Sequence, residues 1–204
     1  ASDVYKRQDR ASHRMLQNMH NQLTYQASHD ELTGLINRKE FERVLSRALM
    51  SAKKSNIGHM VACIDLDQFK VINNAAGYTA GDRLIKELGS LLSVSLVGSQ
   101  FVLSRLGGDE FGVLIEDCKK ESGLIVIRKL CDAIKRFQFK WENDSFKLTA
   151  SCGVVYLNID TESVSSILQS ADSACYAAKD AGRDRLHVYE AVSYTHLRAH
   201  ETFA

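Results

Sequence analysis

Apolar residues recur along this chain with two periods, and the switches between them outline the fold. Over residues 38–54, Phe41, Val44, Leu45 and Leu49 fall at three- and four-residue spacing, the stripe of an amphipathic helix. Asn37 stands where its side chain can accept a first-turn N–H. Residues 60–66 form an apolar run of strand length that closes on Asp65-Leu66-Asp67. A polar stretch containing asparagines and a glycine leads into a second helix over 81–96. Residues 101–106 and 111–115 are β-rich and separated by Gly107-Gly108-Asp109-Glu110, which predicts a hairpin. The remainder reads as a helix near 120–137, a hairpin of 139–141 with 146–156 about Glu142-Asn143-Asp144, a helix over 163–181 and a closing strand at 185–189.

That order mixes helices with hairpins instead of repeating a βαβ unit. It predicts an α+β domain with a central, mostly antiparallel sheet flanked by helices. Residues 30–38 break the helical period and read as a structured loop. Before them, residues 9–28 carry Leu16, Met19 and Leu23 at a/d spacing, an N-terminal helical extension. Such a stripe can pair with its twin in a short coiled coil or pack on its own domain, and three positions do not choose between these. Residues 1–8 and 191–204 show no period; they read as disordered extensions or non-native additions and stand outside the fold argument.

Composition narrows the class. At 204 residues, 45% hydrophobic and 25% charged, the chain suits one soluble globular domain with appendages. No apolar run approaches the roughly 20 residues of a membrane helix, so no membrane contact is expected of this segment. With 26 basic and 25 acidic residues the net charge is +1, which gives no broad field for a nucleic acid polymer. A small anion needs only a local basic cluster. Proline is absent, so Gly, Asn and Asp must make the turns. The five cysteines (Cys63, Cys118, Cys131, Cys152, Cys175) are odd in number and never spaced C-x-x-C, a pattern of reduced thiols rather than disulfides or zinc ligands.

The candidate chemistry lies at two acidic sites. Side chains alternate along a strand, so Asp65 and Asp67 are expected on one side at the end of an apolar strand. There a carboxylate is costly unless a cation or donors meet it. The bland alternative is a strand end turning into solvent. The second site puts Asp109 and Glu110 at a hairpin tip where two glycines permit a tight turn and close approach of a ligand. Acids from two adjacent strand ends suit Mg²⁺, which in turn holds phosphates.

The blocks around these acids resemble a known family. Arg105-Leu106-Gly107-Gly108-Asp109-Glu110-Phe111 is similar to the signature of the GGDEF diguanylate cyclases. Three further blocks agree in order and spacing: residues 30–38 (D-x-L-T-G-L-x-N-R), residues 65–73 with Gly81-Asp82 (D-x-D-x-F-K-x-I-N…G-D), and residues 171–183 (A-D-x-x-x-Y-x-A-K-x-x-G-R). The resemblance covers residues 28–189 and implies a ferredoxin-like palm. It divides the chain into a linker or dimerisation helix (1–28), a catalytic domain (29–190) and a tail (191–204).

The resemblance also implies roles. Asp65 and Asp109, with the Leu66 backbone carbonyl, would bind Mg²⁺, or Mn²⁺ in its place. Glu110 would be a second acid, metal-binding or assisting loss of the 3′-hydroxyl proton. Gly107 and Gly108 would lie against the triphosphate, and Lys70, Lys179 and Arg183 would neutralise its charge. Asn73 and Asp82 would read guanine, since a carboxylate accepts from N1–H and the 2-amino group, where adenine offers an acceptor at N1. The implied reaction condenses two GTP into cyclic di-GMP and pyrophosphate across a homodimer, in the cytoplasm or the cytoplasmic part of a larger bacterial signalling protein. Fused sensory domains and an EAL-type phosphodiesterase domain are the expected neighbours. The alternative is a GTP-binding regulatory module that controls such a phosphodiesterase domain.

Departures from the family are few. Asn74 stands where the family usually has Asp and Tyr78 where it usually has His, which predicts altered loop packing with activity kept. The family's inhibitory R-x-x-D would fall on Gly98-Ser99-Gln100-Phe101, which lacks both charges; no tight product inhibition is expected there.

Overall fold

The computed structural model describes residues 15, 17–19, 22–98 and 100–190. Helical residues 22–28, preceded by helical 15 and 17–19, form α1. Next come β1 (Ile36–Asn37), α2 (Arg38–Ser55), β2 (His59–Leu66), α3 (Phe69–Ala76), α4 (Tyr78–Ser95), β3 (Phe101–Gly107) and β4 (Glu110–Ile115). The chain continues with α5 (Lys120–Arg136), β5 (Gln138–Trp141), β6 (Asp144–Lys147), β7 (Ala150–Leu157), α6 (Val164–Asp180) and β8 (Arg185–Val188). Six strands form one sheet in the order β1-β3-β4-β2-β7-β8, while β5 and β6 make a separate hairpin. The three central pairings are antiparallel and the two outer ones, β1 with β3 and β7 with β8, are parallel. This is the α+β palm the sequence implied.

Strand alternation builds two cores. From β2, Met60, Ala62, Ile64 and Leu66 enter one layer with Leu84, Leu88 and Leu92 of α4 and Ile127 and Leu130 of α5. Val61 and Cys63 enter the other, with Phe41 and Leu45 of α2 and Ile167 and Ala171 of α6. Each such buried aliphatic side chain is worth roughly 1.5–3 kcal/mol. Because odd-numbered residues of β2 face α2 and α6, Asp65 necessarily faces α6. Helix α6 sits at backbone contact on the sheet: a Cβ on Gly153 would lie 2.0 Å from the Ala171 carbonyl and 2.4 Å from the Cys175 nitrogen. Glycine at 153 is therefore what lets the helix carrying Lys179 approach the strand carrying Asp65.

Local signals behave as expected at most boundaries. Asn37 caps α2, its side chain accepting from Glu40 N–H at 3.0 Å. Ser163 and Ser166 form a reciprocal cap on α6. Three sequence readings need correction. The polar stretch before residue 81 contains a full helix, α3, and α4 begins at Tyr78. The strand read over 146–156 is two: β6 pairs only with β5, and β7 joins the main sheet after Leu148-Thr149. Asn74 and Tyr78 are both exposed, in α3 and at the start of α4, so they change the surface instead of loop packing.

At the N-terminus, Met19 and Leu23 are 51% and 62% exposed, so they do not pack on this domain. Leu16 lies outside the described residues, as do residues 1–8 and 191–204. The described cysteines are all free, with Cys63, Cys152 and Cys175 buried. Among the described residues no helix is long and apolar enough to cross a membrane.

Candidate active site

The first acid comes from the end of β2 and the others from the β3–β4 turn. In the β2–β4 ladder Asp65 lies directly opposite Glu110. The Leu66 N–H reaches the Asp109 carbonyl at 3.4 Å, stitching the hairpin tip to the same strand end. Gly107 and Gly108 take φ +149° and +52° in the turn, and the register shifts between Arg105 and Gly107. This bulge brings Asp109 and Glu110 back over β2.

The electrostatics of this cluster are poorly compensated. Burial pushes the Asp109 carboxyl above the ordinary carboxylate pKa, and the charge of Asp65 adds to the shift. Glu110 is raised as well, first by lost hydration and then by repulsion from Asp65, Asp172 and Asp109. Although Glu110 is exposed as a whole residue, its carboxyl is flanked by these acids. Two cations act against this crowding: Lys179 Nζ lies 2.7 Å from Asp65 Oδ2, and the charge of Arg105 also acts on Asp109. Burial works against the Lys179 charge, but the hydrogen bond and charge of Asp65 outweigh it and hold that ammonium above its ordinary pKa.

Among the described residues no three acidic, histidine or cysteine side chains form a ready-made metal cage. Mg²⁺ at phosphate sites is commonly held by one or two carboxylates together with substrate phosphates. Oxygen donors from Asp65, Asp109 and Glu110, whose crowded charges favour a cation, could supply that share. The residues present fit such an ion.

The other predicted residues distribute around this centre. Asn73 lies in α3, its Oδ1 buried without a hydrogen-bond partner against Gly81, whose Cβ position would be 1.9 Å away. With that oxygen turned inward, the amide nitrogen is the remaining polar end of Asn73. Asp82 is exposed in the first turns of α4. Lys70 is exposed in α3 and makes no hydrogen bond or ion pair among the described residues. Arg183 is exposed just beyond α6 with φ +63°. The structure thus brings Asp65, Asp109, Glu110 and Lys179 within electrostatic reach of one another, with a direct contact between Asp65 and Lys179, and leaves Lys70, Asp82 and Arg183 as surface groups. Asp67, expected beside Asp65, does not join it: its oxygens accept from Thr149, Ser151 and the Asp184 N–H.

Sequence reasoning missed a clamp. Arg105 donates from Nη1 to both Asp30 oxygens at 3.2 and 3.1 Å, and from Nε and Nη2 to the Gly108 carbonyl at 3.0 and 2.8 Å. Asp30 in turn accepts from the Thr33 N–H and hydroxyl. Burial would raise the Asp30 carboxyl, but these bonds to Thr33 and Arg105 dominate and hold it below its ordinary pKa. The loop of residues 30–35 is thereby fixed to the Gly107-Gly108 turn. An acid opening one block and an arginine opening another were the available signal. Asp172, whose charge reaches Glu110, was also missed.

A cavity of about 630 Å³ lined by Lys120, Tyr156, Asn158, Thr161 and Tyr189 contains none of these residues. It lies by the Leu157 end of β7, which pairs with His59 at the far end of β2 from Asp65. The acids instead sit at the ends of the central strands β2 and β4.

The structure thus defines an α+β palm with acidic sites at two neighbouring strand ends, a glycine turn and a lysine facing them. The model of the family "Diguanylate cyclase, GGDEF domain" matches residues 27–185, and the chain belongs to that family. It is 42% identical over 169 residues to "Probable diguanylate cyclase DgcE" of Escherichia coli (strain K12), covering 83% of this chain and 15% of that protein. It is 33% identical to "Cyclic di-GMP phosphodiesterase PdeB" of Shewanella oneidensis, covering 83% of this chain and 19% of the other. The coiled coil and GGDEF domain of DgcB from Caulobacter crescentus, solved in complex with c-di-GMP, superposes with a TM-score of 0.83 at 25% identity, covering 91% of this chain and 98% of that one. The chain therefore spans less than a fifth of the length of either of those two curated relatives.

Proposed function

We propose that this segment is a diguanylate cyclase domain that condenses two GTP into cyclic di-GMP and pyrophosphate. The carrying observation is the crowding of Asp65, Asp109 and Glu110 at one strand end, answered by Lys179, inside an intact family signature. On this reading residues 29–190 are the catalytic domain. Asp65, Asp109, Glu110 and the Leu66 carbonyl hold Mg²⁺ or Mn²⁺. That ion supplies positive charge against the triphosphate.

The chain's own residues do the rest. The Gly107-Gly108 turn lets backbone approach the triphosphate, and Lys179, Arg183 and Lys70 neutralise it. Asp82 accepts from guanine N1–H and the 2-amino group, and Asn73 donates through its outward nitrogen to a guanine acceptor. Glu110 assists loss of the 3′-hydroxyl proton. The 3′-oxygen of one GTP attacks the α-phosphorus of the other, pyrophosphate leaves, and the reciprocal attack closes the ring. Positioning and charge stabilisation carry most of the rate.

Each domain offers one such site, so two copies must face each other. The exposed Met19 and Leu23 on α1 are the candidate seam between them. The relative named a phosphodiesterase supports a second reading, a GTP-binding module regulating an adjacent EAL-type domain. Incubating the full chain with GTP and Mg²⁺ at concentrations that drive dimer formation, followed by chromatography of the products, separates the two. Cyclic di-GMP and pyrophosphate in a 1:2 ratio are expected of the cyclase, since each ring closure releases two pyrophosphates. Bound GTP without product would instead assign the regulatory role.

A further inference from the structure

Asp67 is 7% exposed and stands just past the end of β2. Among the described residues no ion pair includes it; neutral donors meet its charge. Thr149 Oγ1 donates to Oδ2 at 2.8 Å, Ser151 Oγ to Oδ1 at 2.7 Å, and the Asp184 N–H to Oδ2 at 3.0 Å. Its own N–H donates to the Thr149 carbonyl at 2.9 Å. One carboxylate thus ties the end of β2 to the start of β7 and to the turn between α6 and β8.

That turn is conformationally costly. Gly182, Arg183 and Asp184 all have positive φ, at +113°, +63° and +49°. Two successive L-residues in the left-handed region persist only where surrounding contacts hold them. The Gly182 and Arg183 N–H groups close the helix end on the carbonyls of Lys179 and Ala178. Lys135 of α5 grips the Asp184 side chain. The Asp184 N–H bond to Asp67 is what fastens the turn to the strand end bearing Asp65.

We propose that Asp67 is a positioning residue for the phosphate-binding side chains. By holding residues 182–184 left-handed against β2 and β7, it fixes where α6 stops and so where Lys179 and Arg183 present their charges. The inference rests on reading those two residues as the phosphate-binding groups. The two acids of Asp65-Leu66-Asp67 then divide the work: the first faces Lys179 and the reacting end of the nucleotide, and the second builds the frame. Three donors converge on the Asp67 carboxylate. Asparagine can keep the Oδ2 position as a carbonyl for Thr149 and Asp184, with the Ser151 hydroxyl rotating to accept from the amide. Alanine keeps none of these bonds.

The test measures binding of Mg²⁺-GTP, of pyrophosphate and of guanosine to the full chain and to Asp67→Ala, Asp67→Asn, Arg183→Ala and the Asp67→Ala/Arg183→Ala pair. Every titration is run at a temperature where circular dichroism reports the protein folded. Asp67→Ala is expected to weaken GTP and pyrophosphate by about tenfold and guanosine by less than about twofold, with Asp67→Asn restoring most of the loss. The double variant should lose less than the sum of the two single losses, because Asp67→Ala acts in part through Arg183 and in part through Lys179. Equal weakening of guanosine and pyrophosphate, or additive losses in the double variant, would reduce Asp67 to a general structural role and overturn the inference. If Asp67→Ala does not fold, Asp67→Ser, whose shorter side chain cannot meet Ser151, Thr149 and the Asp184 N–H together, and its pair with Arg183→Ala carry the same comparison. A wild-type chain that binds no GTP with Mg²⁺ would sink the functional reading itself, whereas wild-type binding with an unaffected Asp67→Ala would sink this inference alone.

Discussion

Asp65 and Asp67 are two residues apart at one strand end, yet they occupy opposite electrostatic worlds. Around Asp67 each carboxylate oxygen has a donor, and the local demand for hydrogen bonds is met within the protein. Around Asp65 three acids crowd together, two with carboxyls raised by burial and repulsion in spite of the charges of Lys179 and Arg105. The difference separates framework from chemistry. A satisfied buried carboxylate stabilises a fold, while an under-compensated one costs stability and is retained where something outside the chain completes it.

This contrast can be broken by experiment. The largest effect is expected at the crowded end: Asp65→Asn and Asp109→Asn should each lower turnover of GTP by about a thousandfold or more in a product assay. Arg105→Ala removes four hydrogen bonds that fix the Gly107-Gly108 turn to Asp30. It should cost about 10- to 100-fold in turnover, the range typical of residues that orient ligating groups, with the protein still folded. Gly153→Ala forces a methyl into the Ala171 carbonyl and should destabilise the domain by about 2–3 kcal/mol in urea unfolding.

The smallest effect is the most discriminating. Asp109→Asn removes a repelled, half-buried charge and should raise the melting temperature by about 2 °C at pH 7 while abolishing activity. Asp67→Asn should lower it. The sign follows from linkage. Asp109 and Glu110 hold protons more tightly folded than unfolded, so their ionisation costs stability as pH rises from the ordinary values of 3.8 and 4.5 through the raised ones. Asp30 behaves oppositely: its depressed carboxyl contributes stability above the ordinary value of 3.8 that is lost as pH falls through the folded pKa. Melting curves from pH 3 to 7 on Asp109→Asn and Asp30→Asn should therefore diverge from wild type in opposite directions.

Much of this was legible in the sequence because local rules and tertiary structure agree. The apolar stripe of α2 with its Asn37 cap, the apolar run of β2 and the glycine turn before Asp109 all appear where the period and turn chemistry put them. Helix α3 was hidden because its sequence, FKVINNAA, buries only Ile72 and is rich in asparagine, a poor helix former. The β6–β7 break was hidden because Phe146 and Leu148 run on into the apolar β7, and only pairing partners distinguish the two strands. At the site, residue types and spacing pointed to the acids, and the family resemblance pointed to Lys179. The Arg105–Asp30 clamp joins positions 75 apart, and the role of Asp67 depends on donors from β7 and beyond α6. Spacing along one strand carries no information about such partners.

The central claim, that Asp65 and Asp109 together complete a cation site on a guanine nucleotide, is tested most directly by calorimetric titration of GTP with and without Mg²⁺. Wild type should bind GTP at least tenfold more tightly with the metal, and Asp65→Asn and Asp109→Asn should each lose that metal-dependent gain. Equal metal enhancement in wild type and in both variants would contradict it.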